Sequence, residues 1–248
     1  MLNILTHGDE TGGLAVAKEI KKLKLLKGEI FIHVANELAY KKKKRYIDQD
    51  LNRSFPGKIG GNYEQRLATK ILPLVKSADM VIDIHTTKSE LRDALIVTKL
   101  NEKTRKFIDT ISPKYLLFMS ATKSNALISN AKVGIAFEYG KNRDVRTVRD
   151  TVIGIKRLLG HLEMIQGKPR ERVSTTKWFD VYRSVPKPKN AKLLKSIKNY
   201  KLVRKGTPYA IAGNKKMLAP KDFYPILFGN KNYEEIFGFA ARPIKRSE

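Results

Sequence analysis

The chain has 248 residues and no cysteine, which excludes disulfides and thiolate metal sites. Its 42% hydrophobic content fits one large domain or a main domain with a smaller one, without a signal peptide or a membrane-spanning apolar run. The net charge of +26 attracts anions, but the lysines are scattered and no nucleic-acid motif accompanies them. We therefore expect a cytoplasmic protein with no membrane partner, and we do not expect nucleic acid as its partner.

The chain opens with strands and a helix in the alternating order that favours a parallel sheet with right-handed crossovers. Residues 1–5 form a short apolar segment typical of a buried strand, and residues 15–26 carry the spacing of an amphipathic helix. Residues 29–35 follow as a second strand. His33 lies within it, and we interpret it as a packed histidine rather than a ligand.

His7 and Glu10 follow the first strand directly, three positions apart. Loops at the carboxyl ends of strands are where open α/β sheets place their ligand sites, and both residue types bind zinc. Such a pair also occurs by chance, as a surface histidine and a helix-capping glutamate. A metal site therefore needs a third ligand elsewhere in the chain.

Residues 36–62 show no helical or strand period, and so long a connection without structure of its own is usually functional or disordered. Its central run is Arg45-Tyr-Ile-Asp-Gln-Asp-Leu-Asn-Arg53. Apolar residues within the run would hold it in place, and arginines fixed in this way bind carboxylates through paired N–H donors. The alternative is a solvated basic loop.

A helix over residues 63–76 leads into a near-continuous apolar strand that ends at His85. This histidine is the third candidate ligand, although a strand-end histidine without a metal is an equal alternative. Asp83 lies two residues earlier on the same side of the strand, where it would orient the imidazole.

Glu138 interrupts the apolar strand 133–140. A carboxylate at the end of a buried strand is costly to ionise, so its pKa should rise, which suits a general acid or base. The remaining predicted elements of this part are strands over 94–98 and 115–120 and helices over 101–110 and 145–164.

Short strands separated by Pro- and Lys-rich turns replace this pattern beyond Gly167. They are predicted over residues 174–182, 200–212, 222–228 and 236–241. We expect a catalytic domain over 1–167 and a smaller β-rich domain over 168–248.

His7, Glu10 and His85 together would form a two-histidine, one-carboxylate site with an open position for water, the ligand set of catalytic zinc in peptidases. Glu138 could then take the proton of that water and pass it to a leaving amine.

The loop would supply the groups that face the substrate. Arg45 could polarise the scissile carbonyl, while Asn52 and Arg53 could hold a substrate carboxylate.

Four stretches resemble the succinylglutamate desuccinylase/aspartoacylase family, a branch of the zinc carboxypeptidase superfamily. They are Thr6-His-Gly-Asp-Glu10, the run from Arg45 to Phe55, Asp83-Ile-His-Thr-Thr87 and Gly134-Ile-Ala-Phe-Glu138. The resemblance implies an α/β fold with a zinc-carboxypeptidase-like mixed, largely parallel sheet flanked by helices. It also implies that a small β-rich C-terminal domain narrows the entrance to the site.

The resemblance further implies one Zn²⁺ per chain on His7, Glu10 and His85, with Glu138 as general acid/base. It places Arg45 at the carbonyl oxygen. The residues that it implies for substrate binding are Arg45, Asn52, Arg53 and, by a looser match, Tyr233.

Family members hydrolyse the amide of N-acyl amino acids such as N-acetylaspartate or N-succinylglutamate, so a small anionic substrate of this class is the expected partner, with a homodimer as a further option. Asp9 stands where the family commonly has Asn, and Lys123 is the nearest counterpart of an arginine that holds a second substrate carboxylate. Specificity for aspartate or glutamate is therefore open. The alternatives are a carboxypeptidase-like zinc hydrolase of small peptides and a basic nucleic-acid-binding protein without catalysis.

Overall fold

The computed structural model describes residues 1–87, 92–120, 125–167 and 175–245. In this part of the chain the strands are β1 (Leu2–Ile4), β2 (Ile32–Val34), β3 (Val81–His85), β4 (Ala94–Val97), β5 (Tyr115–Phe118), β6 (Gly134–Glu138), β7 (Lys177–Pro186), β8 (Lys192–Leu193), β9 (Pro208–Ala212), β10 (Lys215–Leu218), β11 (Tyr224–Ile226) and β12 (Ile236–Pro243). The α-helices are α1 (Gly12–Lys21), α2 (Glu37–Lys41), α3 (Tyr63–Ser77), α4 (Glu102–Ile111) and α5 (Val145–His161).

Nine of the described strands form one sheet in the order β11-β12-β7-β5-β4-β6-β3-β1-β2. Strands β2, β1, β3 and β6 are mutually parallel, and β4, β5 and β7 run parallel to one another but opposite to β6. Strand β12 is antiparallel to both of its neighbours. The mixed, largely parallel sheet predicted from the sequence is confirmed.

Helices cover both faces of this sheet, because alternate residues of β3 pack into two different hydrophobic cores. Ile82 and Ile84 belong to the core shared with α1, α4 and α5, whereas Val81 belongs to the core shared with α3. Successive residues of a strand point to opposite faces. Asp83 and His85 therefore lie on the same face as Val81, which is the face covered by α3.

The prediction that residues 36–62 lack structure of their own was wrong, because they contain α2 and a 3₁₀ helix over Leu51–Arg53. Both are too short to show a helical period in the sequence, and both begin at a side-chain cap. The Asn36 side chain accepts a hydrogen bond from the amide of Ala39 at 3.2 Å, and Asp50 accepts one from the amide of Asn52 at 2.8 Å.

The C-terminal part is β-rich, as expected, but its strands divide between two sheets. β7, β11 and β12 continue the main sheet beyond β5, whereas β8, β9 and β10 pair separately. A domain boundary at residue 167 stays a prediction. Among the helices described, none combines the length and the apolar character needed to cross a bilayer.

Candidate active site

The candidate site lies where three adjacent parallel strands end. His7 follows β1, His85 is the last residue of β3, and Glu138 is the last residue of β6. His85 and Glu138 are register partners, so their side chains leave the same face of the sheet. The fold thus brings together residues that are 131 positions apart in the chain.

His7, Glu10 and His85 are all buried and offer ligand atoms that lie within 4.8 Å of one another. His7 Nδ1 lies 2.7 Å from Glu10 Oε1, and His85 Nδ1 lies 3.1 Å from Glu10 Oε2. The two Nδ1 atoms are 3.2 Å apart. Nitrogens that share a tetrahedral zinc at 2.0–2.1 Å lie about 3.3 Å from each other, so this donor set fits zinc.

The outer ring nitrogens of both histidines have carboxylate partners. His85 Nε2 lies 2.8 Å from Asp83 Oδ2, as the spacing of the two residues predicted, and His7 Nε2 lies 3.1 Å from Asp50 Oδ1. A proton on His85 Nε2 would satisfy Asp83 and leave the Nδ1 lone pair for a metal, and the same tautomer of His7 would direct its Nε2–H at Asp50. Asn3 in turn donates to Asp83 at 2.8 Å.

His7, Glu10 and His85 are called the triad below. Burial and nearby opposite charges shift the pKa values of its members. Burial alone would lower the pKa of His85, but the Asp83 and Glu10 carboxylates together outweigh it and hold that pKa well above its ordinary value. Burial would likewise raise the pKa of Glu10, but His7 and His85 hold it well below its ordinary value. Glu10 is therefore held as an anion between the two histidines.

Glu138 has the opposite character. Burial, reinforced by the negative charge of Glu10, raises its pKa to about 7. The rise expected for a carboxylate at a buried strand end is confirmed. A carboxyl group with a pKa near neutrality can both accept and return a proton.

Arg45 approaches this cluster from the loop of residues 45–53. Its Nη1 donates to Glu10 Oε1 at 2.8 Å, and its Nη2 lies 3.0 Å from His7 Nε2. Gly8 permits the close approach, because a Cβ at this position would lie 2.6 Å from the carbonyl oxygen of Lys44, the residue before Arg45. The Gly8 amide also donates to the carbonyl of Arg45 at 3.0 Å.

Asn52, Arg53 and Tyr233 line the same pocket as the triad, Arg45 and Glu138. The Asn52 side-chain oxygen accepts the amide of Leu127 at 2.8 Å, which leaves its NH₂ group as the donor for a ligand. Lys123 lies outside the described residues. The roles of these residues toward substrate remain predictions.

The pocket has a volume of about 140 Å³, and beside its charged and polar residues it is lined by apolar side chains, called the apolar wall below. The apolar lining residues are Ile96, Met119, Ala126, Ile128, Ala136, Leu227 and Phe239.

Three supporting residues were missed from the sequence. Asp50 lies inside the recognised run, where its position beside Asn52 was a usable signal. Asn142 holds the loop of Glu10 through its side chain, which accepts from the Gly12 amide at 2.6 Å and donates to the carbonyl of Asp9 at 2.8 Å. Glu64 bonds backbone amides of the loop 45–53. Contacts of side chains with backbone amides leave no pattern in a sequence.

Parts of known proteins resemble about half of the chain in sequence. A protein from Xenopus laevis, named N-acyl-aromatic-L-amino acid amidohydrolase (carboxylate-forming), is 29% identical over 160 residues, covering 54% of this chain and 52% of its own. A probable aspartoacylase from Trichodesmium erythraeum is 26% identical over 155 residues, covering 54% and 53%. The chain thus aligns with about half the length of the curated relatives it matches.

Solved structures share the fold over almost the whole chain. Murine aminoacylase 3 superimposes with a TM-score of 0.74 at 17% identity, covering 98% of this chain and 95% of its own. A succinylglutamate desuccinylase/aspartoacylase from Rhodobacter sphaeroides gives a TM-score of 0.71 at 19% identity, covering 98% and 86%.

The family model of the succinylglutamate desuccinylase/aspartoacylase catalytic domain matches residues 5–162, which is more than half of the chain. This match includes the triad, Arg45 and Glu138. The chain belongs to the succinylglutamate desuccinylase/aspartoacylase family, within the zinc carboxypeptidase-like superfamily.

Proposed function

We propose that the protein is a zinc-dependent amidohydrolase that cleaves the amide of an N-acyl amino acid. The observation that carries the proposal is the convergence of both Nδ1 atoms and the Glu10 carboxylate within 4.8 Å, beside a glutamate whose pKa is near 7. Zinc on this triad would supply Lewis-acid activation of water and of the carbonyl.

The protein's own residues perform the remaining steps. Glu138 holds the proton removed from the attacking water and returns it to the leaving nitrogen. Arg45 lies close enough to stabilise negative charge on the carbonyl oxygen, while Asn52 and Arg53 orient the substrate through its carboxylate.

Metal analysis and activity measurements test this function. We expect roughly one zinc per chain, hydrolysis of N-acyl amino acids that stops on chelation and returns with zinc, and loss of both metal and activity in His85→Ala. His161→Ala is the matched control, since this histidine packs against Phe107 outside the site and should leave both properties unchanged. A wild-type protein that binds nucleic acid but no zinc would contradict the proposal.

The apolar wall indicates the kind of amino acid that is released. Asn52 bonds the Leu127 amide, beside the lining residues Ala126 and Ile128. We propose that a substrate whose carboxylate is held by Asn52 places its side chain against this wall. Burying a charged side chain there is unfavourable without a cation, so we propose an apolar side chain. The name of the Xenopus laevis relative, which specifies aromatic amino acids, is consistent with this choice.

A substrate panel tests the choice. We expect kcat/KM for N-acetylleucine or N-acetylphenylalanine to exceed that for N-acetylaspartate by about 10-fold or more. Preference for N-acetylaspartate would refute the apolar assignment. Lys123→Met would then show whether that lysine supplies the missing charge, because KM for the acidic substrate alone should rise.

A further inference from the structure

Glu64 is a buried carboxylate with no place in the mechanism above. It is the second residue of α3 and is 0% exposed. Its Oε1 accepts the amide of Ile47 at 2.6 Å, and its Oε2 accepts the amides of Asp48 and Gln49 at 2.9 and 3.2 Å. Asn36 adds a fourth hydrogen bond to Oε1 at 3.1 Å.

Three consecutive loop amides thus converge on one carboxylate. They belong to the stretch between Arg45, which contacts Glu10, and Asp50, which contacts His7. Asp50 also accepts the Asn52 amide at 2.8 Å. The position of Asn52, which is proposed to hold the substrate carboxylate, therefore depends on the same stretch.

A second contact joins the loop to the helix in the opposite sense, because Asp48 Oδ2 accepts the amide of Tyr63 at 2.8 Å. Backbone amides of the loop therefore donate to the Glu64 side chain, and the Asp48 side chain of the loop accepts from the first amide of the helix. Such reciprocal bonds fix both the distance and the orientation of the loop relative to α3.

We propose that Glu64 is a positioning residue, which acts through the loop of residues 45–53 to place Arg45 over the triad and Asn52 and Arg53 at the substrate carboxylate. The inference rests on the proposed hydrolase function. A small displacement of such groups is costly to turnover, since misplacement by about 1 Å can lower a rate about 100-fold.

Two substitutions at Glu64 separate the effect of its negative charge from the effect of its side-chain size. Glu64→Gln keeps the size of the side chain but replaces one acceptor oxygen with an NH₂ group, which cannot accept the loop amides. We expect kcat/KM to fall about 10- to 100-fold while the zinc content stays at the wild-type value. Glu64→Asp keeps the charge and should restore part of the loss. Asn101→Ala, which removes the cap of α4, controls for a loss of stability alone and should leave kcat/KM unchanged.

A double-mutant cycle tests the connection to Arg45. If Glu64 acts through this residue, Glu64→Gln should cost much less in an Arg45→Ala background than in the wild type. Losses that simply multiply would overturn the proposal, and so would full activity in Glu64→Gln.

Hydrogen exchange tests the contact independently of activity. The amides of Ile47, Asp48 and Gln49 should be protected in the wild type and exchange faster in Glu64→Gln but not in Asn101→Ala. Equal exchange in both variants would overturn the positioning role. A wild-type protein without zinc or hydrolysis would instead contradict the proposed function, whatever the exchange shows.

Discussion

Asp83 and Glu138 are buried carboxylates on the same sheet face with opposite tasks, and their surroundings explain the difference. Asp83 receives hydrogen bonds from Asn3 and Thr6 and faces His85, so burial is outweighed and its pKa is lowered. Burial raises the pKa of Glu138, with Glu10 adding to the rise. One carboxylate can therefore orient an imidazole while the other exchanges a proton.

This contrast leads to a prediction for Glu138→Gln. The amide keeps the volume of the side chain but cannot take a proton from water, so kcat should fall by a factor of about 10² to 10⁴. Zinc content should stay at the wild-type value, because Glu138 is not part of the triad. Metal analysis and steady-state kinetics measure both.

Asp150→Asn provides the control, since it makes the same chemical change at a carboxylate paired with Arg149 outside the pocket. Wild-type turnover in Glu138→Gln would rule out Glu138 as the base.

At this scale the sequence indicated the proposed ligands and base more readily than the residues that hold them. His85 and Glu138 end apolar strands and His7 and Glu10 follow one closely, which is a local signal. Glu64 gives no such signal, because a glutamate in the first turn of a helix is common for electrostatic reasons alone.

The packing of α5 on β6 is an element-scale feature next to the proposed base. Gly154 faces the strand, and a Cβ there would lie 2.8 Å from Phe137 Cε1 and 3.2 Å from Ile111 Cγ2. Phe137 immediately precedes Glu138 and is fully buried. The glycine thus lets the helix lie close to the strand that carries the proposed base.

Gly154→Ala tests this packing. Helix propensity would favour alanine by about 1 kcal/mol, but overpacking typically costs about 1–3 kcal/mol. We expect a net loss of stability, seen as a lower denaturation midpoint in urea. Adding Phe137→Leu should recover part of the loss, and Lys156→Ala on the exposed side of α5 should change little. A more stable Gly154→Ala protein would show that Phe137 moves aside without cost.

Long periodic elements were predictable, and short or long-range features were not. Helix α3 was predicted almost to its ends, because apolar residues recur along it at helical spacing. Helix α2 spans five residues and shows no period. The reversed direction of β4 depends on pairing with β6, which is distant in sequence.

At the scale of the whole molecule, one sheet contains strands from both sides of Gly167, although the sequence character changes there. The change in sequence character beyond Gly167 is real, yet β7 pairs with β5 through four register partners. Strand pairing across such a change is a property of the folded chain, which explains why the sequence indicated only a separate β-rich module. The net charge of +26 adds an attraction for anionic substrates that salt should screen.

The division of the pocket between strands has an evolutionary consequence. The proposed metal ligands and base lie at or beyond the ends of β1, β3 and β6, whereas three residues of the apolar wall lie on β4, on β12 and directly after β11. A substitution at Phe239 or Leu227 can therefore reshape the space for the substrate without touching the reacting groups. Such a fold lets selectivity diverge by single mutations while the chemistry is inherited unchanged.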